Sequence, residues 1–303
     1  MAATGYQPEI ITFGPVRFVR GRRQGKYPYC HSLIVDDGSL AVIDPSADKE
    51  YCRRLARDPR LCAVILSHFH EDHQKYLHFF PDELIWAPAA ETAAFTSMAG
   101  VFSLLGLEDP EYAQYWQKTL VEEFHYRPRP QVQAFRDGTE LRVGETTFQV
   151  IHTPGHTPGH SCFYFPQQSI LYLADIDLTP FGPWYGDRTS DLNALLASLE
   201  RLEGLKADTY LSAHGQGVFG AQEAHSALRR FQEVIFAREA SLLELLQQPR
   251  TLADLVSRRL IYRKALEPAF VYSHIEQQMI SKHLQRLQAA QLITLTETGY
   301  VAT

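Results

Sequence analysis

The strongest constraint on this chain is a short apolar run that stops on a crowd of metal-competent side chains. Ala63-Val64-Ile65-Leu66 is followed at once by Ser67-His68-Phe69-His70-Glu71-Asp72-His73. A strand through the apolar run would carry His68 and His70, two residues apart, onto one side, and Asp72 and His73 would open the next helix. Three histidines and an aspartate this close repel one another and lose hydration unless a cation holds them.

Three more apolar runs finish in the same way. Phe148–Ile151 leads into His152-Thr153-Pro154-Gly155-His156-Thr157-Pro158-Gly159-His160; Ile170–Ala174 leads into Asp175; Tyr210–Ala213 leads into His214. Strands that each end on a His or Asp place those groups along one edge of a sheet, where a metal site can be assembled from distant parts of the chain. His152 and His160 flank His156 and read as orienting or structural groups, because metal-bound histidines need partners on their second nitrogen. Asp44, after the Leu40–Ile43 run, has either that role or that of a turn residue. Asp177 competes with Asp175, but the apolar run ends at Ala174, which favours Asp175. His31, His78 and His125 read as ordinary histidines.

Between these points the pattern alternates. Short strands are expected at 10–13, 16–19, 32–35 and 40–43, with Asp36-Asp37-Gly38 as a hairpin turn. More follow at 84–87, 132–135, 141–143, 148–151, 161–165, 170–173 and 209–211. Asp44-Pro45-Ser46 ends the first strand group, and helices are expected after it through Arg57, over 191–202 and over 221–247. Strand groups alternating with helices on this scale imply sheets packed face to face with helices outside. Residues 89–124 are helical and rich in aromatics, either a packed layer or a cap over a site. The aromatic loop Phe181–Gly186, just past Asp175, is either a substrate wall or packing. Gln248-Pro249-Arg250 reads as a boundary between a catalytic domain at 1–247 and a small domain at 248–303. The latter has a capping-box start at Thr251–Asp254, a helix over 273–290 and a hairpin from Leu292 to Val301, the pattern of a winged helix.

With the ligand-bearing positions set out, the chain resembles the metallo-β-lactamase fold superfamily. The HxHxDH signature stands as His68, His70, Asp72 and His73, and the later ligands match His156, Asp175 and His214, across roughly residues 10–245. The resemblance implies an α/β fold, an αββα sandwich with the winged-helix-like domain appended. It implies that His68, His70 and His156 hold one divalent metal ion, that Asp72, His73 and His214 hold a second, and that Asp175 bridges them, with Asp72 and Asp175 as catalytic carboxylates. Zinc is the expected metal; iron and manganese suit the same ligands. Gln74-Lys75 stand where many relatives carry Gly-Gly or another small residue.

The implied activity is hydrolysis of an ester, thioester, lactone or phosphodiester by a hydroxide bridging two metal ions. Two divalent cations, two carboxylates and a hydroxide leave one net positive charge, so a small, anionic substrate is expected. The chain as a whole carries a formal charge of -6 and nothing global points to nucleic acid or an anionic membrane. Residues 249–303 hold seven Lys/Arg against four acids, a modest excess. A nuclease reading is therefore second, and packing or dimerisation is the favoured role of the small domain, which leaves a homodimer open. An iron-dependent oxygenase is third; His70 stands where diiron oxidoreductases of the fold tend to place a carboxylate. Met1–Gly5 does not start a signal peptide, no apolar run approaches spanning length, and the four cysteines form no CxxC pair. A cytoplasmic protein with reduced, packed thiols and no membrane partner is the expectation.

Overall fold

The computed structural model describes residues 7–303. Its first sheet has seven strands in sequence order: β1 (Ile10–Phe13), β2 (Val16–Val19), β3 (Ser32–Asp37), β4 (Ser39–Ile43), β5 (Leu61–Ile65), β6 (Ile85–Pro88) and β7 (Gln133–Phe135). The first four pair antiparallel through hairpins, whereas β4 to β7 pair parallel and need crossovers. One crossover is α1 (Lys49–Leu55), capped by the Asp48 carboxylate on Tyr51 N. Another crossover carries α2 (Thr92–Thr96), α3 (Met98–Leu105) and α4 (Pro110–Glu122). The second sheet has six strands: β8 (Glu140–Val143), β9 (Thr146–His152), β10 (Ser161–Phe165), β11 (Ile170–Tyr172), β12 (Thr209–Leu211) and β13 (Val218–Gly220). Helix α5 (Leu192–Glu203) joins β11 to β12, and α6 (Ala221–Leu245) follows β13. The chain closes with α7 (Leu252–Ser257), α8 (Ala269–Ala289) and a hairpin of β14 (Ile293–Thr296) and β15 (Gly299–Ala302).

Alternation along the strands shows why two sheets and outer helices form. Leu33, Val35, Ala41 and Ile43 join Phe163, Phe165, Ile170 and Tyr172 in one apolar cluster between the sheets. Their neighbours Ile34, Leu40, Val42, Cys162 and Leu171 belong to a second cluster shared with Leu195 and Leu199 of α5 and Leu228 and Phe231 of α6. Strands with both faces apolar must be covered on both sides, and the helices supply the second cover.

The strand directions decide where the chemistry goes. β10 is antiparallel to both β9 and β11, and β12 is parallel to β11. The C-terminal ends of β9, β11 and β12 therefore share one edge. Across the sandwich, the ends of β4 and β5 meet that edge: Ser161 N donates to Ser67 O at 3.0 Å and His31 N to Ala213 O at 2.7 Å.

Three local expectations change. Ser67 N bonds the Asp44 carboxylate at 2.8 Å rather than a neighbouring strand. The β5 strand therefore stops before the histidines, which lie on a loop. Asp72 and His73 form a turn rather than a helix start, and the next helical piece is a single 3-10 turn at Leu77–Phe79. Cys30, Cys52 and Cys162 are buried, but Cys62 is exposed. The expected capping box is present, with Thr251 and Asp254 each bonding the other's backbone N–H. The second apolar cluster runs on without a break into Leu255, Val271, Ile275 and Met279, so the C-terminal helices pack on the sandwich.

Candidate metal centre

Each candidate ligand is aimed by its backbone. Asp44 sits in the left-handed region (φ +51°), which aspartate tolerates. Its carboxylate accepts from Ser67 N, from Tyr172 Oη at 2.8 Å and from His73 Nδ1 at 3.0 Å. It is thus the hub that fixes the 67–73 loop, not a plain turn residue. Ala174 is also left-handed (φ +48°), an uncommon state for a residue with a Cβ. It is held because its carbonyl accepts from Ala213 N and the next amide, Asp175 N, donates to His160 Nε2 at 3.1 Å. The loop carrying His156 is pinned by close approaches at two glycines. A Cβ on Gly155 (φ +129°) would meet the Leu195 backbone at 2.3 Å, and one on Gly159 would meet Pro88 and Glu91 at 2.6–2.7 Å.

The seven sequence-derived positions come together as two adjoining groups. His68, His70, His156 and Asp175 offer one set of donor atoms, and Asp72, His73 and His214 the other, each set lying within 4.8 Å of itself. In the first, His70 Nδ1 lies 3.0 Å from His68 Nε2 and 2.9 Å from His156 Nε2. Asp175 faces both groups. Its Oδ2 is 3.3 Å from His156 Nε2, while its Oδ1 is 2.7 Å from His73 Nε2 and 3.2 Å from His214 Nε2. Asp72 Oδ2 is 3.5 Å from His214 Nε2.

The outward nitrogens settle the tautomers. His156 Nδ1 donates to Trp184 O at 2.9 Å, His214 Nδ1 to Gly25 O, His70 Nε2 to the Asp187 carboxylate at 2.7 Å, and His73 Nδ1 to Asp44. The inward nitrogens of His70 and His156 are therefore lone pairs facing each other, and that of His73 faces a carboxylate oxygen. His73 Nε2 and Asp175 Oδ1 are buried and make no hydrogen bond. Lone pairs set at this range repel unless a proton or a cation lies between them, so the residues fit divalent metal ions. Proton affinities agree. Burial opposes charge on His70, yet Asp187 raises it to about 9; burial likewise opposes charge on His214, yet Asp175 and Asp72 raise it to about 9. Burial alone would raise the Asp175 carboxyl, but His73, His214 and His68 hold it well below its ordinary value.

The remaining candidates fall outside the two groups. His160 is buried, its affinity for a proton lowered to about 3 by burial and by His156, and it orients Asp175. His152 bonds Pro158 O at 2.8 Å. Asp177 turns back to Thr179. His31 accepts from Gly21 N and donates to Gly215 O, so it shapes the turns that hold His214. His78 and His125 pair with each other, ring centroids 4.2 Å apart.

Three contributors were not legible in the sequence. Asp187, which orients His70, lies one residue past the aromatic Phe181–Gly186 stretch and belongs to no metal-ligand spacing. Lys282, on α8, donates to Asp187 O at 2.6 Å. The turn Arg22–Gly25, which supplies the carbonyl for His214, has φ of 55°, 59° and 65° at Arg23, Gln24 and Gly25. Only the glycine in that run hints at it from sequence.

The comparisons with known proteins fit this geometry. The sequence profile described as Metallo-beta-lactamase superfamily matches residues 29–214, more than half of the chain. This chain belongs to the metallo-beta-lactamase superfamily. A hydroxyacylglutathione hydrolase from Francisella tularensis subsp. novicida (strain U112) is 27% identical over 180 residues, 58% of this chain and 58% of that protein. Among solved structures, a metallo-beta-lactamase family protein from Thermus thermophilus is 21% identical and covers 90% of this chain and 94% of its own, with a TM-score of 0.67. A beta-lactamase domain protein from Burkholderia ambifaria is 19% identical and covers 100% and 97%, with a TM-score of 0.70. Both likenesses establish the fold. Superfamily membership points to a metal-dependent hydrolase. Among the described residues no helix is long and apolar enough to cross a membrane.

Proposed function

We propose that this superfamily member is a hydrolase holding two divalent metal ions, zinc by preference, and cleaving an ester or thioester bond of a small molecule. The observation that carries the reading is the double-facing Asp175 carboxylate between two sets of imidazoles, with Asp175 Oδ1 and His73 Nε2 buried and without a hydrogen bond. His68, His70 and His156 would hold one ion; Asp72, His73 and His214 the other; Asp175 would reach both. Bound there, such a pair of ions lowers the pKa of water towards neutrality and polarises the bond to be cleaved.

The chain's own residues do the rest. Asp44, Asp187 and the Trp184 and Gly25 carbonyls hold the imidazole rings in the required tautomer. Asp72 and Asp175 both line the cavity that opens onto the site, where Asp175 would stay ionised to hold the ions and Asp72 would orient a water. The hydroxyacylglutathione hydrolase among the relatives favours an acyl substrate over a lactone or phosphodiester. Lys26 is the one Lys or Arg among the described cavity-lining residues, which gives a nucleic-acid backbone little to bind. Residues 248–303 are accordingly read as a winged-helix-like unit that serves the site as a wall.

Metal analysis of protein purified without added metal, coupled to a panel of chromogenic esters and thioesters, tests the reading. Two equivalents of metal with ester turnover is the expected result. Iron with oxygen uptake and no hydrolysis would overturn it.

A further inference from the structure

The cavity that opens from the metal centre has a volume of about 590 Å³, within the roughly 300–1,000 Å³ usual for sites that enclose a small molecule. Its two ends differ in chemistry. The inner end is His70, His156, Asp175 and His214. The outer end is built by Tyr112, Tyr115 and Trp116 from α4, facing Tyr262, Val271 and Ile275 from the C-terminal segment. These two stretches are far apart in sequence yet close the wall between them. Tyr112 stacks on His274 with centroids 4.1 Å apart, and Tyr115 meets Phe270 edge-on at 5.4 Å. Trp184 joins the ends: its ring lies edge-on to His70 at 5.4 Å and its Nε1 donates to Tyr262 Oη at 3.1 Å.

The charges on this lining are wrong for a peptide-like carrier such as glutathione, which brings two carboxylates and an ammonium. Outside the two metal groups the lining offers one cation, Lys26, against the acids Glu71, Asp177, Asp187 and Glu267. A preference for negative charge at the metal end concerns the scissile group only. Rings and aliphatic side chains at the outer end gain most from apolar surface, about fourfold in affinity per buried methylene.

Resting on the hydrolase reading above, we propose that the outer end is an acyl-binding subsite. The substrate is then an ester or thioester of a bulky apolar carboxylic acid. Its acyl tail lies between α4 and the 262–275 segment, and its carbonyl lies at the His/Asp end. Water adds to the carbonyl carbon, the C–O or C–S bond breaks, and the leaving alcohol or thiol takes up a proton. The C-terminal helices thus determine specificity by contact with the tail. A straight chain and an aryl group share this chemistry, and the test separates them.

The test uses the full-length, metal-loaded chain. Binding of acetate, hexanoate, 3-phenylpropanoate and S-methylglutathione is followed by tryptophan fluorescence, since Trp116 and Trp184 both face the cavity. Turnover is measured on the p-nitrophenyl esters of the three acids. The expected result is binding that tightens by tenfold or more from acetate to the larger acids, with S-methylglutathione weak, and a parallel rise in kcat/KM. Whichever of hexanoate and phenylpropanoate leads identifies the tail. Val271→Trp should fill the subsite and cut the ratio of kcat/KM between the larger esters and the acetate by at least tenfold. Tyr115→Ala, at a half-exposed ring, should lower the same ratio about threefold should the larger substitution fail to fold. Equal binding of all the acids, or S-methylglutathione binding most tightly, would overturn the subsite even with ester turnover intact. Tight binding of the larger acids with no ester cleaved would keep the subsite and sink the hydrolase reading.

Discussion

At the inner end of the cavity the side chains are fixed from behind. His70, His73, His156 and His214 each spend one nitrogen on a carboxylate or carbonyl, and the loops that carry them are tied to the ends of β4, β5, β9, β11 and β12. At the outer end the side chains are fixed mainly by one another, ring on ring, across a seam between α4 and α8. The inner end thus draws precision from hydrogen bonds, which are directional, and the outer end draws shape from apolar contact, which tolerates change of residue as long as volume is kept. The difference teaches where mechanism and specificity reside. A constellation set by directional bonds can be shared widely in a superfamily, while a wall set by packing can be rebuilt for each substrate.

The sharpest way to break this contrast is at Asp175, the group that faces both sets of imidazoles. Asp175→Ala, or His156→Ala, should lower kcat for any ester by about a thousandfold or more, on the scale of the several kcal/mol that metal ions contribute to such reactions. Metal content should fall with it. Activity that survived both changes would mean the site lies elsewhere. Asp187→Ala acts one bond further out. Loss of the partner of His70 should weaken metal binding by about 10- to 100-fold, read by competition with a chromophoric chelator. Unchanged affinity would show that His70 needs no such support.

Tyr262→Phe moves to the outer wall, where it strands Trp184 Nε1. A cost of about 0.5–1.5 kcal/mol is expected in thermal or denaturant unfolding, with little change in metal affinity. A large loss of metal would show that the two ends are not separable.

The smallest effect concerns Glu91, beneath the His156 loop, whose carboxylate accepts from Gly159 N at 2.7 Å. Burial raises its pKa from the usual 4.5 to about 7 against the opposing pull of its hydrogen bonds. Between those two pH values the folded chain keeps a proton that the unfolded chain has released. Stability should therefore fall as pH rises from 4.5 to 7, with the loss complete above that. Glu91→Gln should remove this slope, visible as a wild-type-minus-variant difference in Tm that changes across the window. A flat difference would show that Glu91 is already ionised in the folded chain.

The superfamily departure at Gln74-Lys75 also has a physical meaning. Lys75 Nζ lies over the Phe124 ring at 4.3 Å and the Tyr29 ring at 5.3 Å. Lys75 therefore packs on the ring just beyond α4, at the end of the aromatic 89–124 stretch. That stretch is a wall of the cavity, through Tyr112, Tyr115 and Trp116, as well as a packed layer. The Phe181–Gly186 loop likewise does both: Trp184 lines the cavity, while Tyr185 is fully buried and bonds His283 and Arg238.

The sequence by itself determined most of the strands, though not the edge strand β13, together with the sandwich class and the seven positions that meet at its edge. Apolar runs with both faces buried are legible as runs, and a His or Asp at the end of each run is legible as spacing. It did not determine that the histidine loop leaves the sheet at Ser67, because the Asp44 carboxylate that takes its amide is 23 residues away. Nor could it show Asp187 behind His70, at a separation of 117 residues, or Lys282 behind Asp187 at 95. Local patterns record what a residue does to its neighbours along the chain. The orienting partners and the outer wall were decided only when folding brought α4 and α8 to the same cavity, a meeting that no local period encodes.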